Sequence, residues 1–339
     1  MSLIIAGEWH SNVHEEQIYK IMLKKNIEVY SFKTYQYFRK INKINNFLHR
    51  GFDKFSVGIP IMQINNEFIK YVYKVKPKNI FLYRPRHFLK KSIFKLKKDL
   101  DINIIIYNND SPFSNLYPKY FWRRYIKLLD IADIILSYRK SDIREYKKLG
   151  YHSELFMPWY YPPYYVNNKG NFQDRDNKIV FIGHSENDIR IEILRSIKDD
   201  LILIGPKGDW EKKFIPESLR DIARGPIWDK DYVDLLSKHK MALCFLSKLN
   251  KDVYTRRCFE ITASGTLLIS EYSKELNEIF GDMHGVVLFK SVEEFQEKIK
   301  FLRANPLKLK SIAKNGKKIV NESSFDIYAR VAQIQRYLS

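Results

Sequence analysis

The sequence predicts an α/β protein of two successive doubly wound domains, each a parallel sheet flanked by helices. Three observations carry that reading. Short apolar runs alternate with amphipathic stretches at helical spacing, as in a parallel sheet covered on both faces. This grammar stops at a proline-rich segment near the middle and then restarts. The chain's 339 residues also exceed what one hydrophobic core usually holds.

In the first half, strands are predicted at Leu3–Ala6, Glu28–Phe32, Asn79–Leu82, Asn103–Tyr107, Asp133–Ser137 and Ser153–Phe156. Helices fill the intervals; over Phe88–Leu100, Leu89, Ile93, Leu96 and Leu100 share one stripe. Met157 to Tyr165 reads Met-Pro-Trp-Tyr-Tyr-Pro-Pro-Tyr-Tyr, and a polar run from Asn167 to Lys178 follows. Prolines deny that linker regular structure, and its aromatics Trp159, Tyr160 and Tyr161 are read as junction filler. In the second half, strands are predicted at Lys178–Ile182, Leu201–Ile204, Met241–Leu246, Thr266–Ser270 and Val286–Phe289. Helices follow at Asp188–Ile197, Asp231–His239, Tyr254–Ser264, Lys274–Phe280, Val292–Ala304, Leu307–Asn321 and Asp326–Leu338.

Composition bounds the function. Lys plus Arg number 59 against 39 Asp plus Glu, a net charge of +20 that favours an anionic partner. Nucleic acid, an acidic membrane face and a phosphorylated small molecule all satisfy it. Cys244 and Cys258 are the two cysteines, read as apolar and without a close cysteine partner. That excludes a disulfide scaffold and a cysteine-rich zinc site and suits a reducing cytosol. Met1 to His10 lacks the basic start of a signal peptide, and no apolar run is long enough to span a bilayer. The expected location is the cytoplasm or the inner face of its membrane.

In doubly wound sheets, ligands sit outside the carboxyl ends of the strands. That rule selects Gly7–Asn12, Asn108–Pro112, Tyr138–Asp142, Gly183–Arg190, Gly205–Trp210 and Ser247–Arg257. The most informative stretch runs from Asp252 to Ser270. It reads as a loop, a helix opening near Tyr254, a stop at Gly265 and a buried strand. Arg256 and Arg257 at the helix start would offer a diphosphate both free N–H groups and two guanidinium forks. Glu260, one turn on, would meet a ribose diol. A solvated basic helix end, with Glu260 paired to an arginine, explains the spacing equally well.

This segment resembles the C-terminal signature of the group 1 glycosyltransferases, in particular the CgeB-like (spore maturation protein-like) branch. The resemblance extends through Phe289-Lys-Ser-Val-Glu-Glu-Phe295, Asn305-Pro306 and Ile312-Ala-Lys-Asn-Gly316. Upstream it includes Ser137 to Asp142, Phe181 to Arg190 and Phe245 to Asn250, so it covers most of Leu136 to Asn321. It implies the GT-B fold: two facing Rossmann-like domains, with a C-terminal helix crossing back to the first. The first domain would be 1–160 plus 322–339 and would bind the acceptor. The second, 161–321, would bind the nucleotide sugar.

The resemblance also implies a donor site. The family's two acidic residues eight apart fall on Asp252, near the donor sugar, and Glu260, on the ribose. Aspartate stands at Asp252 where glutamate is usual. Gly183, His184 and Arg190 would line the phosphates, the arginine stabilising the leaving diphosphate without metal. Lys207 is a weaker candidate that reads equally as a turn lysine. Three Asp-x-Asp triplets (Asp99 to Asp101, Asp174 to Asp176, Asp229 to Asp231) lie in unrelated contexts, so no metal is expected. Asp229 reads as a helix N-cap.

On the acceptor side, Glu8 and His10 follow the opening strand, and His10 reads either as a base for an acceptor hydroxyl or as an idle loop residue. Asp110 reads as a base or as the cap of an Asp-Ser-Pro turn. Arg139 and Lys140 read as cations for a phosphorylated acceptor or as surface residues at a helix start. Two basic helices, Tyr35–Arg50 and Arg86–Leu100, read as membrane-facing or simply as packed on the sheet.

The functional expectation is a glycosyltransferase, hexosyltransferase in type, moving sugar from a nucleotide-sugar donor to a hydroxyl acceptor. The acceptor is expected to be a bacterial cell-envelope glycan or a lipid-linked intermediate in polysaccharide biosynthesis. A nucleotide-sugar epimerase on the same scaffold is the alternative. A basic nucleic-acid-binding protein is a distant third, since no zinc finger, ribonucleoprotein motif or GxxG loop is present.

Overall fold

A computed structural model describes residues 2–38, 51–165 and 170–339. The chain divides into two compact units, Met1–Met157 with Ile327–Ser339, and Pro158–Asp326. Most of the predicted helix Tyr35–Arg50 lies outside the described residues.

The first unit is a six-stranded parallel sheet in the order β2-β1-β3-β4-β5-β6. Its strands are β1 (Ser2–Gly7), β2 (Glu28–Lys33), β3 (Asn79–Tyr83), β4 (Asn103–Asn108), β5 (Ile134–Ser137) and β6 (Glu154–Leu155). Its helices of seven residues or more are α1 (Glu15–Lys24), α2 (Ile59–Val75), α3 (Lys90–Leu100) and α4 (Lys140–Lys148). Ile4, Ile80 and Ile104 are buried on one sheet face and Ile5, Phe81 and Ile105 on the other. Burial on both faces is why these strands read as unbroken apolar runs.

The second unit holds β7 (Asp176–Ile182), β8 (Leu201–Ile204), β9 (His239–Cys244), β10 (Leu267–Glu271) and β11 (Val287–Phe289), in the parallel order β11-β10-β9-β7-β8. Among the described residues, its helices of seven residues or more are α5 (Ile189–Ser196), α6 (Asp229–Ser237), α7 (Arg256–Ala263), α8 (Lys274–Phe280), α9 (Val292–Ala304) and α10 (Pro306–Glu322). Within each unit the second strand lies outside the first and the third lies on its other side. The two sheets therefore share one topology, and each reverses direction between its first and third strands. The crevice at that reversal is where such sheets bind ligands.

The chain leaves the first unit after Met157 and returns as α11 (Ile327–Gln335), which packs on α1. Asn79 and Asn103 donate side-chain hydrogen bonds to the carbonyls of Ser339 and Tyr337, at 3.2 and 2.6 Å. The linker is folded structure rather than a tether. Tyr160 N–H donates to the Phe325 carbonyl at 3.1 Å, and the Tyr160 hydroxyl to Asn321 at 3.0 Å.

Three expectations need correction. Asp229 is the first residue of α6 rather than its cap; Trp228 holds the cap position, and the Asp229 carboxylate accepts from Tyr164 at 3.1 Å. Cys244 and Cys258, fourteen apart in sequence, have their sulfurs 3.7 Å apart, because β9 ends where α7 begins. Arg139 is 1% exposed, not a surface residue, and donates to the Asn109 carbonyl at 2.9 Å. Among the described residues, no helix is long and apolar enough to cross a membrane.

Close packing at the second crest leaves no space at Gly205. A Cβ there would sit 2.2 Å from the Gly183 carbonyl oxygen and 2.3 Å from Trp210 Nε1. Gly205→Ala is therefore expected to lower stability by about 1–3 kcal/mol, read as an earlier urea midpoint. An unchanged midpoint would contradict the packing.

Candidate active site

At the first crest, the loops after β1, β3 and β4 bring charged side chains into one buried network. Glu8 follows β1 and takes two arginines: Arg86 Nε at 2.6 Å and Arg84 Nη1 at 3.2 Å. Arg84 also binds Asp110 at 2.8 Å and donates to the Tyr117 hydroxyl at 3.2 Å. Arg86 continues to Asp53 at 2.5 Å. Trp9 and Arg84 adopt left-handed backbone (φ 55° and 49°), a conformation that costs non-glycine residues energy and turns the chain sharply after a strand.

Burial by itself would raise the Glu8 pKa, but Arg84 and Arg86 more than reverse this and hold the carboxylate far below the usual range. A carboxylate so stabilised is a poor proton acceptor. Glu8 is thus removed from the candidate bases and becomes an orienting group, with His10 Nδ1 3.6 Å from it. The His10 side chain is 46% exposed. Asp110, which follows β4, is already engaged by Arg84.

His87 is buried, and burial followed by Arg86 lowers its pKa in spite of Asp53. As a neutral ring it donates from Nε2 to Asp53 at 2.9 Å and accepts at Nδ1 from the Thr34 hydroxyl at 3.0 Å. Arg84, Arg86, His87 and Asp53 were not singled out from sequence. The available signal was Tyr83-Arg-Pro-Arg-His87, which directly follows a predicted strand.

Glu15, at the start of α1, is 1% exposed, and burial pushes its pKa up to about 7. Glu8 adds to the rise, while the backbone N–H of Trp9, 3.2 Å from Oε1, opposes it. Gly7 makes room for this carboxyl; a Cβ there would lie 2.4 Å from Glu15 Oε1.

At the second crest, α7 opens at Arg256 with Thr255 at its cap position. Thr255 makes no capping bond; its hydroxyl sits 3.3 Å from Cys244 Sγ. Arg256 pairs with Glu260 at 2.9 Å, one turn on. Arg257 is half-buried and makes no ion pair or hydrogen bond among the described residues. Two tyrosines not singled out as site residues from sequence flank Glu260. The Tyr165 hydroxyl donates to the Glu260 carbonyl at 3.3 Å, and the buried Tyr232 hydroxyl feels the Glu260 charge. Asp252 lies in the loop entering α7 and accepts from Asn250 Nδ2 at 3.0 Å.

The loop after β7 behaves differently. Arg190 is buried and grips Asp188 through Nε at 2.8 Å and Nη2 at 3.0 Å. It also donates to the His184 carbonyl at 3.0 Å and lies 3.3 Å from Glu186. It braces the loop and in this arrangement presents no free fork to a phosphate. The exposed His184 bonds Asp209, while Gly183 accepts from Trp210 Nε1 at 3.1 Å. Lys207 stands 86% exposed, 3.7 Å from Glu211. Glu271, at the end of β10, receives Leu246 N–H at 2.8 Å, and burial raises its pKa. Among the described residues, no three His, Cys, Asp or Glu side chains gather as a metal cage.

Residues 190–336 match a family model described as glycosyl transferase-like. No curated protein matches the chain in sequence. Sucrose-phosphate synthase from Thermosynechococcus elongatus aligns over 99% of this chain and 98% of its own, at 12% identity and a TM-score of 0.72. Anabaena HepE, solved with UDP and glucose, aligns over 100% and 99% at 11% identity and 0.68. A UDP-forming trehalose-phosphate synthase from Burkholderia xenovorans aligns over 100% and 99% at 10% and 0.64.

Glu15 gives the first site a measurable signature. Its folded pKa lies above its unfolded one, so between the two the native chain holds a proton that the unfolded chain has lost. Stability therefore falls as pH rises toward about 7 and is flat beyond it. Glu15→Gln, which keeps an acceptor for Trp9 N–H, should match the parent's melting temperature near about pH 4 and exceed it near about pH 8. The same offset at both pH values would show that Glu15 does not titrate as described.

Proposed function

We propose that this chain is a GT-B glycosyltransferase that transfers a hexosyl group from a nucleotide sugar to an acceptor hydroxyl, a reading that its glycosyl transferase-like match and its twin parallel sheets support. The observation that carries the reading is the start of α7. Arg257 has no ion pair among the described residues, two guanidinium groups stand at a helix start that the Thr255 side chain does not cap, and a carboxylate lies one turn deeper. A diphosphate satisfies the cations and a ribose diol satisfies the acid. The UDP bound by the Anabaena protein makes a UDP-sugar the first donor to test.

In this reading Arg256 and Arg257 hold the pyrophosphate and Glu260 the ribose, with Asp252 toward the sugar. His184 and Gly183 border the phosphates, and Arg190 acts through the loop it braces. The cations take over the leaving-group role that a metal plays in other transferases, so we propose metal-independent turnover. His10, oriented by Glu8, is the proposed base for the acceptor hydroxyl. The acceptor class we propose is a cell-envelope glycan or a lipid-linked sugar, handled on the cytoplasmic side in the manner of the CgeB-like branch.

Arg257→Ala should weaken UDP binding by about 10–100-fold, measured by titration calorimetry, with an unchanged melting temperature in the absence of UDP. Glu260→Gln should lose discrimination between ribose and 2′-deoxyribose diphosphates. Full UDP affinity in both variants would remove the donor assignment. His10→Ala should keep donor affinity and lower transfer by about 10²–10⁴-fold; parent-like transfer would dismiss it as the base. Conversion of the donor without any acceptor would point to an epimerase instead.

A further inference from the structure

The first unit leaves large apolar side chains in solvent on one small surface. Ile59 and Met62 are 65% and 62% exposed, and Phe55 is 45% exposed. These are not stray residues. The inward face of α2 is already filled by Ile61, Ile64, Phe68 and Val72, so Ile59 and Met62, three apart on its outer side, have no interior to enter. Phe55 stacks on half-exposed Tyr120, ring centroids 5.3 Å apart.

Cations ring this surface. Lys54 lies 5.8 Å over the Phe55 ring. Arg123 donates to the Phe55 carbonyl at 2.9 Å, and Arg124 donates twice to the Ser56 carbonyl, at 2.9 and 2.7 Å. The two guanidinium groups shape the apolar loop while keeping their charge at its edge. Lys119 is exposed beside Tyr120. Neither 54–66 nor 111–129 contains a carboxylate, and the neighbouring Asp53 is taken by Arg86 and His87.

We infer that this surface docks the protein on an anionic lipid bilayer, with Phe55, Ile59 and Met62 entering the interface and the cations meeting phosphate headgroups. Four uncompensated positive charges argue against a second copy of the chain, because like patches repel. Aliphatic side chains without partners argue against nucleic acid, which would leave them wet. A bilayer supplies negative headgroups above hydrocarbon, and both halves of the surface are satisfied. The patch is distinct from the two basic helices singled out in the sequence, and it stands independently of the transfer chemistry. Asp53 ties its loop to Arg86 at the first crest, so bilayer contact and the acceptor-side network share one segment of chain.

Co-sedimentation with vesicles of phosphatidylcholine alone, and of phosphatidylcholine with about one third phosphatidylglycerol, tests the inference on the full chain. The parent should pellet with the anionic vesicles only, and less so at about 0.5 M salt. Ile59→Ser with Met62→Ser should cut binding at least about tenfold. Lys119→Glu with Arg123→Glu should lose roughly fivefold or more per charge. Lys308→Glu with Lys314→Glu, exposed positions in the second unit, controls for the +20 net charge and should bind like the parent. Melting temperatures confirm that each variant is folded. A parent that stays in the supernatant, an apolar variant that binds fully, or a control that loses as much as the patch variant would each overturn the assignment. So would a dimer in sedimentation velocity that the Ile59/Met62 variant dissolves.

Discussion

The first crest depends on one buried carboxylate shared between two arginines. Removing a single partner from such a network strands a charge in low dielectric and typically costs about 3–5 kcal/mol, so Glu8, Arg84 and Arg86 are held as a set. That set fixes the turns after β1 and β3, where Trp9 and Arg84 take left-handed backbone. It also decides which nearby groups exchange protons. Glu8 stays ionised, its charge helps keep Glu15 protonated well above the ordinary carboxylate range, and Asp110 is drawn to Arg84. His10, 3.6 Å from Glu8, is the exposed side chain of this cluster.

The second crest uses the same ingredients to the opposite end. Arg256 pairs with Glu260, yet Arg257 beside it is left without a carboxylate. The pair is largely buried, with the Arg256 side chain 21% and the Glu260 side chain 10% exposed, so the Glu260 carboxylate sits beside a cation rather than in water. Under the proposed function, a diphosphate would compete with Glu260 for Arg256, so binding of the anion and release of the carboxylate toward a diol would be coupled. Arg190, by contrast, already makes two bonds to Asp188. Its worth lies in holding the loop after β7 in shape.

Sequence reasoning recovered the strands because a parallel sheet buried on both faces announces itself as continuous apolar runs. It misplaced ends where polar residues extend the ladder: β7 begins at Asp176 and β9 at His239, paired with each other before either apolar run starts. The charge cluster at the start of α7 was legible because it is local, two arginines and a glutamate within five residues. The first crest was only half legible. Glu8, His10 and Asp110 stood out as strand-end residues, but Arg84 and Arg86 take their meaning from sheet order. Only the order β2-β1-β3 places the loop after β3 at the reversal point. Arg139 was misjudged for a related reason: arginine is usually exposed, and what buries this one is the Asn109 carbonyl thirty residues away.

Charge balance at the two crests also bears on the acceptor. In the first unit, Arg84 and Arg86 are offset by Glu8, Asp110 and Asp53, so the crest presents no surplus of positive charge to a phosphate. Arg139, once a candidate cation for a phosphorylated acceptor, is buried against backbone. What the crest offers is hydrogen-bonding capacity and one exposed imidazole, which suits an uncharged hydroxyl. Lys54, Lys119, Arg123 and Arg124 instead gather positive charge on the rim around Phe55, Ile59 and Met62. An acceptor that carries both a sugar hydroxyl and an anionic lipid anchor would satisfy both regions without asking either to do the other's work, and a free phosphorylated sugar would not.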